Sequence, residues 1–176
     1  MRIDISAGNP SWEAAEKLVD EVVWPPHVVK TLVWRDVEWA HADQRILIRD
    51  DEAPHEVVCH VGLFTRHAAL WNDREVTIGG IGGVATHPDR RKRGLASGGM
   101  QAAVQCFARE GKDFALLFCE PDKYAFYRNL GWHRFEGDVI AEQPHGNIRF
   151  DLMAAFVHDL KLAPRDGTID LRGLPW

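Results

Sequence analysis

The sequence predicts a mixed α/β domain, with α+β character, in which an antiparallel first half gives way to a strand–helix–strand second half. Three observations predict it. Between residues 45 and 86, apolar β-rich stretches alternate with turn-forming clusters. After Pro88 the apolar spacing changes to a helical period, and Ala96, Met100, Ala103, Val104 and Phe107 mark one face. Then comes a short, wholly apolar run, Phe114 to Cys119, the pattern of a strand buried on both faces. With no linker, internal repeat or low-complexity segment, the 176 residues read as one domain over 1–176.

In chain order, a short apolar start at Ile3 to Ile5 precedes Asn9-Pro10-Ser11, which reads as a helix start capped by Ser11. Trp12, Ala15, Leu18, Val19, Val22 and Val23 then recur at helical spacing until Pro25-Pro26. Val28 to Trp34 suits helix and strand equally. Arg45 to Arg49 and Glu56 to Arg66 read as strands joined by the turn-rich Asp50-Asp51-Glu52-Ala53-Pro54. Trp71-Asn72-Asp73 makes another turn before a long strand from about Glu75 to Thr86. Gly111 stands where the following helix should stop. Pro121-Asp122 opens one more helix, ending at Leu130-Gly131, and Trp132 to Glu136 and Ile148 to Met153 are read as the final strands.

Composition narrows the function. With 45% hydrophobic and 27% charged residues the chain is neither disordered nor a disulfide-stapled miniprotein. Lys+Arg 21 against Asp+Glu 26 gives a net charge of −5, which argues against a nucleic-acid partner and suits a cationic substrate. Cys59, Cys106 and Cys119 lie in apolar stretches without C-x-x-C spacing and are expected to be reduced and buried. No run of 18 apolar residues exists, and Met1-Arg2-Ile3-Asp4 does not start a signal-peptide core, so a cytoplasmic protein without membrane association is expected. The nine histidines form no H-x-H or H-E-x-x-H pair, and no metal is expected.

The segment richest in chemistry runs from Gly82 to Gly99. A strand ends in a basic, Gly-containing loop, Arg90-Arg91-Lys92-Arg93-Gly94, that feeds the first turn of a helix. Helix amino termini expose unpaired N–H groups and the positive dipole end, which bind phosphates. Gly94 and Ala96 let a ligand approach the backbone, and the basic side chains add charge. A solvated basic turn is the alternative. Gly80-Ile81-Gly82-Gly83-Val84-Ala85 imitates a dinucleotide fingerprint, but Thr86-His87-Pro88 follows it where a helix would be required.

Arg91-Lys92-Arg93-Gly94-Leu95-Ala96 resembles the R/Q-x-x-G-x-G/A pyrophosphate loop of the GNAT acetyltransferase superfamily. Tyr124-Ala125-Phe126-Tyr127-Arg128-Asn129-Leu130-Gly131-Trp132 resembles that family's Y-x-x-x-G-[FW] helix ending, 127 − 94 = 33 residues after Gly94. The resemblance implies a GNAT-like fold: a mostly antiparallel central sheet of six to seven strands with about four helices, splayed at the acyl-CoA site. The cofactor-binding core would span about residues 74–136. It implies acetyl-CoA as cosubstrate. Val84, Ala85 and Thr86 would hold the pantetheine arm, and Arg91, Lys92, Arg93, Gly94, Leu95, Ala96 and Ser97 the pyrophosphate. By position Tyr127 would protonate the departing thiolate; a structural tyrosine is the other reading. A homodimer is the family expectation.

The tail Asp166 to Trp176 is similar to that of the aminoglycoside 2′-N-acetyltransferases, which also close on a Trp whose terminal carboxylate faces the substrate amine. At Gly82 those enzymes carry a Glu, so the resemblance leaves the terminal carboxylate of Trp176 as the favoured base. Asp36, Glu38, Trp39, Asp43 and Glu120 mix carboxylates with aromatics, which suits a small cationic amine, kasugamycin among the aminoglycosides included; a solvated acidic face is the alternative. His87 and His133 read as hydrogen-bonded surface histidines. The competing functions are a GNAT acting on a polyamine, an amino-acid derivative or a protein amino terminus, and a non-catalytic acyl-CoA sensor, which would not need Tyr127.

Overall fold

The computed structural model describes residues 2–49, 51 and 54–176. Of the turn expected at Asp50-Asp51-Glu52-Ala53-Pro54, residues Asp50, Glu52 and Ala53 lie outside the described residues. The element order is β1 (Arg2–Ala7), α1 (Asn9–Glu16, continued as π-helix over Lys17–Val23), α2 (Pro26–Val29), β2 (Gln44–Arg49), β3 (Cys59–Trp71), β4 (Arg74–Thr86), α3 (Leu95–Arg109), β5 (Phe114–Cys119), α4 (Tyr124–Asn129), β6 (His133–Arg134), β7 (Asp138–Gln143), β8 (Gly146–Arg149), β9 (Ala154–Asp159) and β10 (Thr168–Asp170). It is a mixed α/β fold built on one curled, mostly antiparallel sheet.

β2, β3 and β4 form the expected antiparallel run. β3 is long enough to serve two sets of neighbours: its first half pairs with β2, while Leu70 and Trp71 pair with β10. β5 lies between β4, to which it is parallel, and β9, to which it is antiparallel. Its residues are buried except Phe118, as a strand covered on both faces requires.

Residues paired across strands share a face, so the register sorts the core. One face, carrying Val61, Ile81 and Leu117, is covered by α3 through Met100, Ala103 and Phe107 and by Tyr127 of α4. α3 comes close because Gly99 has no side chain; a Cβ there would lie 2.9 Å from Val61 Cγ2. Gly111, at φ +72°, ends the helix. The other face carries Phe64, Ile78 and Leu116 under Leu171 and Trp176 of the tail. Further along that face Leu47 and Ala85 lie under Ala15, Leu18 and Val19.

Several expectations are corrected. Ser11 does not cap α1. Gly8 holds the cap position, and Ser11, one turn inside, donates from its hydroxyl to Gly8 O at 2.6 Å. Val28 to Trp34 is one helical turn followed by turns. The sheet has ten strands among the described residues rather than six to seven, the extra ones lying in the final region. Gly146, at φ +113°, turns β7 into β8, a hairpin the apolar pattern does not reveal. Ile148 to Met153 is therefore not one strand: β8 ends at Arg149, and β9 starts at Ala154. Trp132 to Glu136 shrinks to the two-residue β6, because Trp132 and Phe135 both turn into the core. Strands of two to four residues carry too little alternation to read.

Candidate active site

β4 pairs with β5 only from Ile78–Phe114 to Ile81–Leu117. β4 continues to Thr86, while the end of β5 pairs with β9 alone. From Gly82 onward the edge of β4 that faced β5 has no strand beside it among the described residues, and the cleft between the strands begins there. The expected residues Val84, Ala85 and Thr86 form this edge. On its other side β4 carries a bulge against β3: Gly62 pairs with Gly82 and His60 with Ala85, so Val61 faces both Gly83 and Val84. Gly83 sits at φ +58°, a conformation glycine adopts freely.

Beyond Thr86 the chain turns through Pro88–Arg90, with His87 Nδ1 accepting from Asp89 N at 3.3 Å. Arg91 folds back and donates from Nε to Thr86 O at 3.3 Å. Lys92 (φ +61°) and Gly94 (φ +77°) bend the loop into α3, and a Cβ at Gly94 would meet nothing within 4 Å. α3 has no side-chain cap, and its first bond runs from Gly98 N to Gly94 O. The N–H groups of Leu95, Ala96 and Ser97 therefore lack intrahelical acceptors. Leu95 is buried and anchors this end of the helix. A positive dipole end, open N–H groups and adjoining Arg91, Lys92 and Arg93 fit a diphosphate. The unpaired β4 edge fits the extended arm of a CoA-type molecule.

Tyr127 is buried among Phe126, Trp132 and Phe156, with ring centroids at 5.1, 6.5 and 6.4 Å. Its carbonyl accepts from Leu130 N and Trp132 N, which fixes the end of α4. Burial raises the hydroxyl well above the usual tyrosine range, with Cys119 and Asp122 adding to the effect. Cys119 is itself pushed up to about 12, mainly by burial. All three cysteines are free and buried.

Trp176 lies on the opposite face of the sheet, directly over Gly80 and Gly82. A Cβ on Gly80 would stand 2.3 Å from its ring, and one on Gly82 would stand 2.9 Å from its carbonyl carbon. The indole stacks on Phe64 (5.8 Å, 18°), and its N–H donates to Leu116 O at 3.2 Å. Arg66 covers the ring at 5.2 Å and donates to Leu174 O at 2.6 Å. Ala40 N donates to Pro175 O at 2.7 Å, so the segment carrying Trp39 runs along the tail.

Trp39 reaches Trp176 through a chain of rings: Trp39–Phe150 at 5.8 Å, Phe150–Phe118 at 4.7 Å and Phe118–Trp176 at 6.0 Å. Glu120 follows Phe118 by two residues, at the end of β5, and is half-buried. Glu38 is exposed, and its backbone is clamped by the Gln143 side chain at 3.0 and 2.9 Å. Asp36 is turned to solvent, its side chain 87% exposed, beside Arg35 at 3.4 Å. Asp43 accepts from Thr65 N at 2.7 Å. His133 bonds Asp159, which also takes two bonds from Arg165 and is held down to about 2.

Sequence reasoning missed Phe64, Arg66 and His60. Each lies in the apolar stretch read as a strand, where alternation alone places Phe64 and Arg66 on the face of Gly62; no signal marks what covers that face. Among the described residues no group of three or more His, Cys, Asp or Glu could hold a metal, and no helix is long and apolar enough to cross a membrane.

A cleft between parallel neighbours β4 and β5, a basic loop leading into α3, and a buried tyrosine after β5 define an acyltransferase-type architecture. The chain belongs to the GNAT acetyltransferase family, whose domain model matches residues 13–135. Over 120 residues it is 28% identical to the aminoglycoside 2′-N-acetyltransferase of Mycolicibacterium fortuitum, spanning 65% of this chain and 57% of that protein. The chain thus covers little more than half of that relative's length. The fold is similar to a GNAT family N-acetyltransferase from Escherichia coli solved in complex with CoA (TM-score 0.62, 16% identity, 96% of this chain and 89% of that one). It is also similar to an acyl-CoA N-acyltransferase from Pseudomonas aeruginosa (TM-score 0.57, 16% identity, 89% and 98% covered).

Proposed function

We propose that this chain moves an acetyl group from acetyl-CoA to a primary amine of a small cationic acceptor, with aminoglycoside-type amino sugars as the leading class. The observation that carries the proposal is the unpaired β4 edge from Gly82 to Thr86, beside the uncapped start of α3. An extended pantetheine arm hydrogen-bonds to such an edge as an added strand. The N–H groups of Leu95, Ala96 and Ser97 would hold the pyrophosphate, and Arg91, Lys92 and Arg93 would balance its charge.

When bound, acetyl-CoA supplies an activated acyl carbon and a thiol leaving group of pKa about 8.5. The residues of this chain manage the protons. Tyr127 keeps its proton at neutral pH, because burial disfavours the phenolate, and acts as the donor toward the departing sulfur. The amine must lose a proton before it attacks. The backbone carbon of Trp176 lies 2.9 Å from where a Cβ on Gly82 would stand, and we assign a carboxylate at that place the role of base. Asp36, Glu38 and Glu120 are the carboxylates we assign to the cation, with the half-buried Trp39 as an aromatic wall; the Trp176 ring, 5% exposed and covered by Phe64 and Arg66, is closed to it. The Mycolicibacterium fortuitum relative favours an amino sugar over a polyamine, an amino-acid derivative or a protein amino terminus.

The test is a thiol-release screen with acetyl-CoA against kasugamycin, other aminoglycosides, polyamines and amino-acid amides. Saturable release with an aminoglycoside is expected, and release only with another class would move the acceptor assignment. Appending two glycines after Trp176 keeps the indole and displaces the charge. The expected result is a large loss in kcat/KM for the amine with little change in acetyl-CoA affinity.

A further inference from the structure

His60 has no part in the chemistry above, yet its side chain bonds the β4 backbone directly at Gly83. It is 4% exposed, at the third residue position of an otherwise apolar run, Val58-Cys59-His60-Val61. Its Nδ1–H donates to the carbonyl of Gly83 at 2.7 Å. Gly83 is the residue around which β4 bulges. The bulge changes the parity of the strand: before it Gly80 and Gly82 face the tail, and after it Ala85 takes that face. Backbone polar groups alternate together with side chains, so the same step decides which N–H and C=O groups of Gly82 to Thr86 turn toward the cleft.

A bulged peptide at an edge with no strand on its far side has little else to fix its rotation. Gly83 adds freedom of its own, since glycine populates both signs of φ. The ring nitrogen supplies the constraint from inside the sheet. Burial keeps the imidazole neutral, and the nearby Arg45 guanidinium adds to this. With Nδ1 as donor, Nε2 is left as an acceptor, and it has no partner among the described residues.

We infer that His60 is a positioning residue for the acyl group: its Nδ1–H locks the Gly83 peptide in the bulged rotation that aims the β4 edge at the thioester carbonyl. The inference rests on the acyl-CoA reading of the cleft. The role is distinct from binding the CoA moiety, which the α3 start and its basic loop would accomplish without the bulge.

The test compares wild type with His60→Leu, which keeps bulk and loses the donor, and His60→Asn, whose amide nitrogen stands close to the place of Nδ1. CoA and acetyl-CoA affinities are measured by calorimetry, and kcat by thiol release. We expect His60→Leu to lose about tenfold or more in kcat, the scale of a mispositioned reacting group. CoA affinity should change less than about threefold, and His60→Asn should recover most of the loss. Any preference of the wild type for acetyl-CoA over CoA should fall in His60→Leu and return in His60→Asn. Equal impairment of the two variants, or a wild-type kcat in His60→Leu, would overturn the positioning role while leaving the acyl-CoA reading intact. A wild-type protein that binds no CoA would overturn both.

Discussion

Gly80→Ala is the sharpest probe of how the tail is seated. The added Cβ would lie 2.3 Å from Trp176 Cε2 and 2.7 Å from Cδ2 and Cζ2, where carbon atoms in contact prefer about 3.5–4.0 Å. Something must move by more than an ångström. The indole is held by Phe64 at its face, by Leu116 O at its N–H and by Arg66 above it. If the sheet yields, overpacking costs about 1–3 kcal/mol. If the indole is expelled, the cost approaches the loss of a buried Trp, about 3–5 kcal/mol. The cheaper route sets the expectation, about 1–3 kcal/mol. For a chain of this length that lowers Tm by about 2–12 °C. The assay is a thermal melt run beside amine kinetics, with Gly79→Ala as control. Its Cβ would press on Phe107 of α3, 2.4 Å away on the opposite face. Both variants should lose stability, but only Gly80→Ala should raise KM for the amine. A Gly80→Ala protein with unchanged Tm and unchanged amine KM would refute the seating of Trp176 over β4.

Tyr127→Phe should lower kcat by about 100-fold with CoA affinity little changed, checked by steady-state kinetics and calorimetry. Charge reversal at Arg91 and Arg93 should weaken CoA binding and steepen no other loss, with an unchanged circular dichroism spectrum. Burial holds His60 at about 4, below the ordinary value of 6.5, so the unfolded chain binds the extra proton first as pH falls. Stability contributed by neutral His60 is complete above pH 6.5 and is lost as pH falls toward 4, by on the order of 3 kcal/mol. Denaturant melts across that range should show the slope in wild type and a shallower one in His60→Asn.

The basic loop and the tyrosine motif of the candidate site were legible because the parts of each are contiguous. The Arg91-Lys92-Arg93-Gly94-Leu95-Ala96 loop sits between a strand and a helix whose periods are both clear, and the Tyr127 motif ends a helix marked by Pro121 and Gly131. The acceptor side was not legible in the same way. Trp176 stood out as an aromatic at the end of the sequence, but nothing local says that it lies over Gly80, or that Ala40 bonds Pro175. Those contacts depend on register across strands far apart in sequence. His60 was hidden for a related reason: in an apolar strand a single histidine reads as one more inward residue, and its partner Gly83 is 23 positions away. The last third of the chain suffered most, because β6, β8 and β10 have two, four and three residues.

The branching of the sheet at β3 divides the site by sequence distance, and so by the order in which it can form. The cleft, the basic loop, α3 and Tyr127 are all made from residues 59–132, joined by short connections. The candidate acceptor side closes only when β10 pairs with β3 and the tail reaches Arg66 and Ala40, contacts that span about a hundred residues or more. Non-local closure of this kind is slow relative to local structure. On a ribosome, the residues of the candidate CoA side are complete in sequence before the tail that closes the other side has been synthesised.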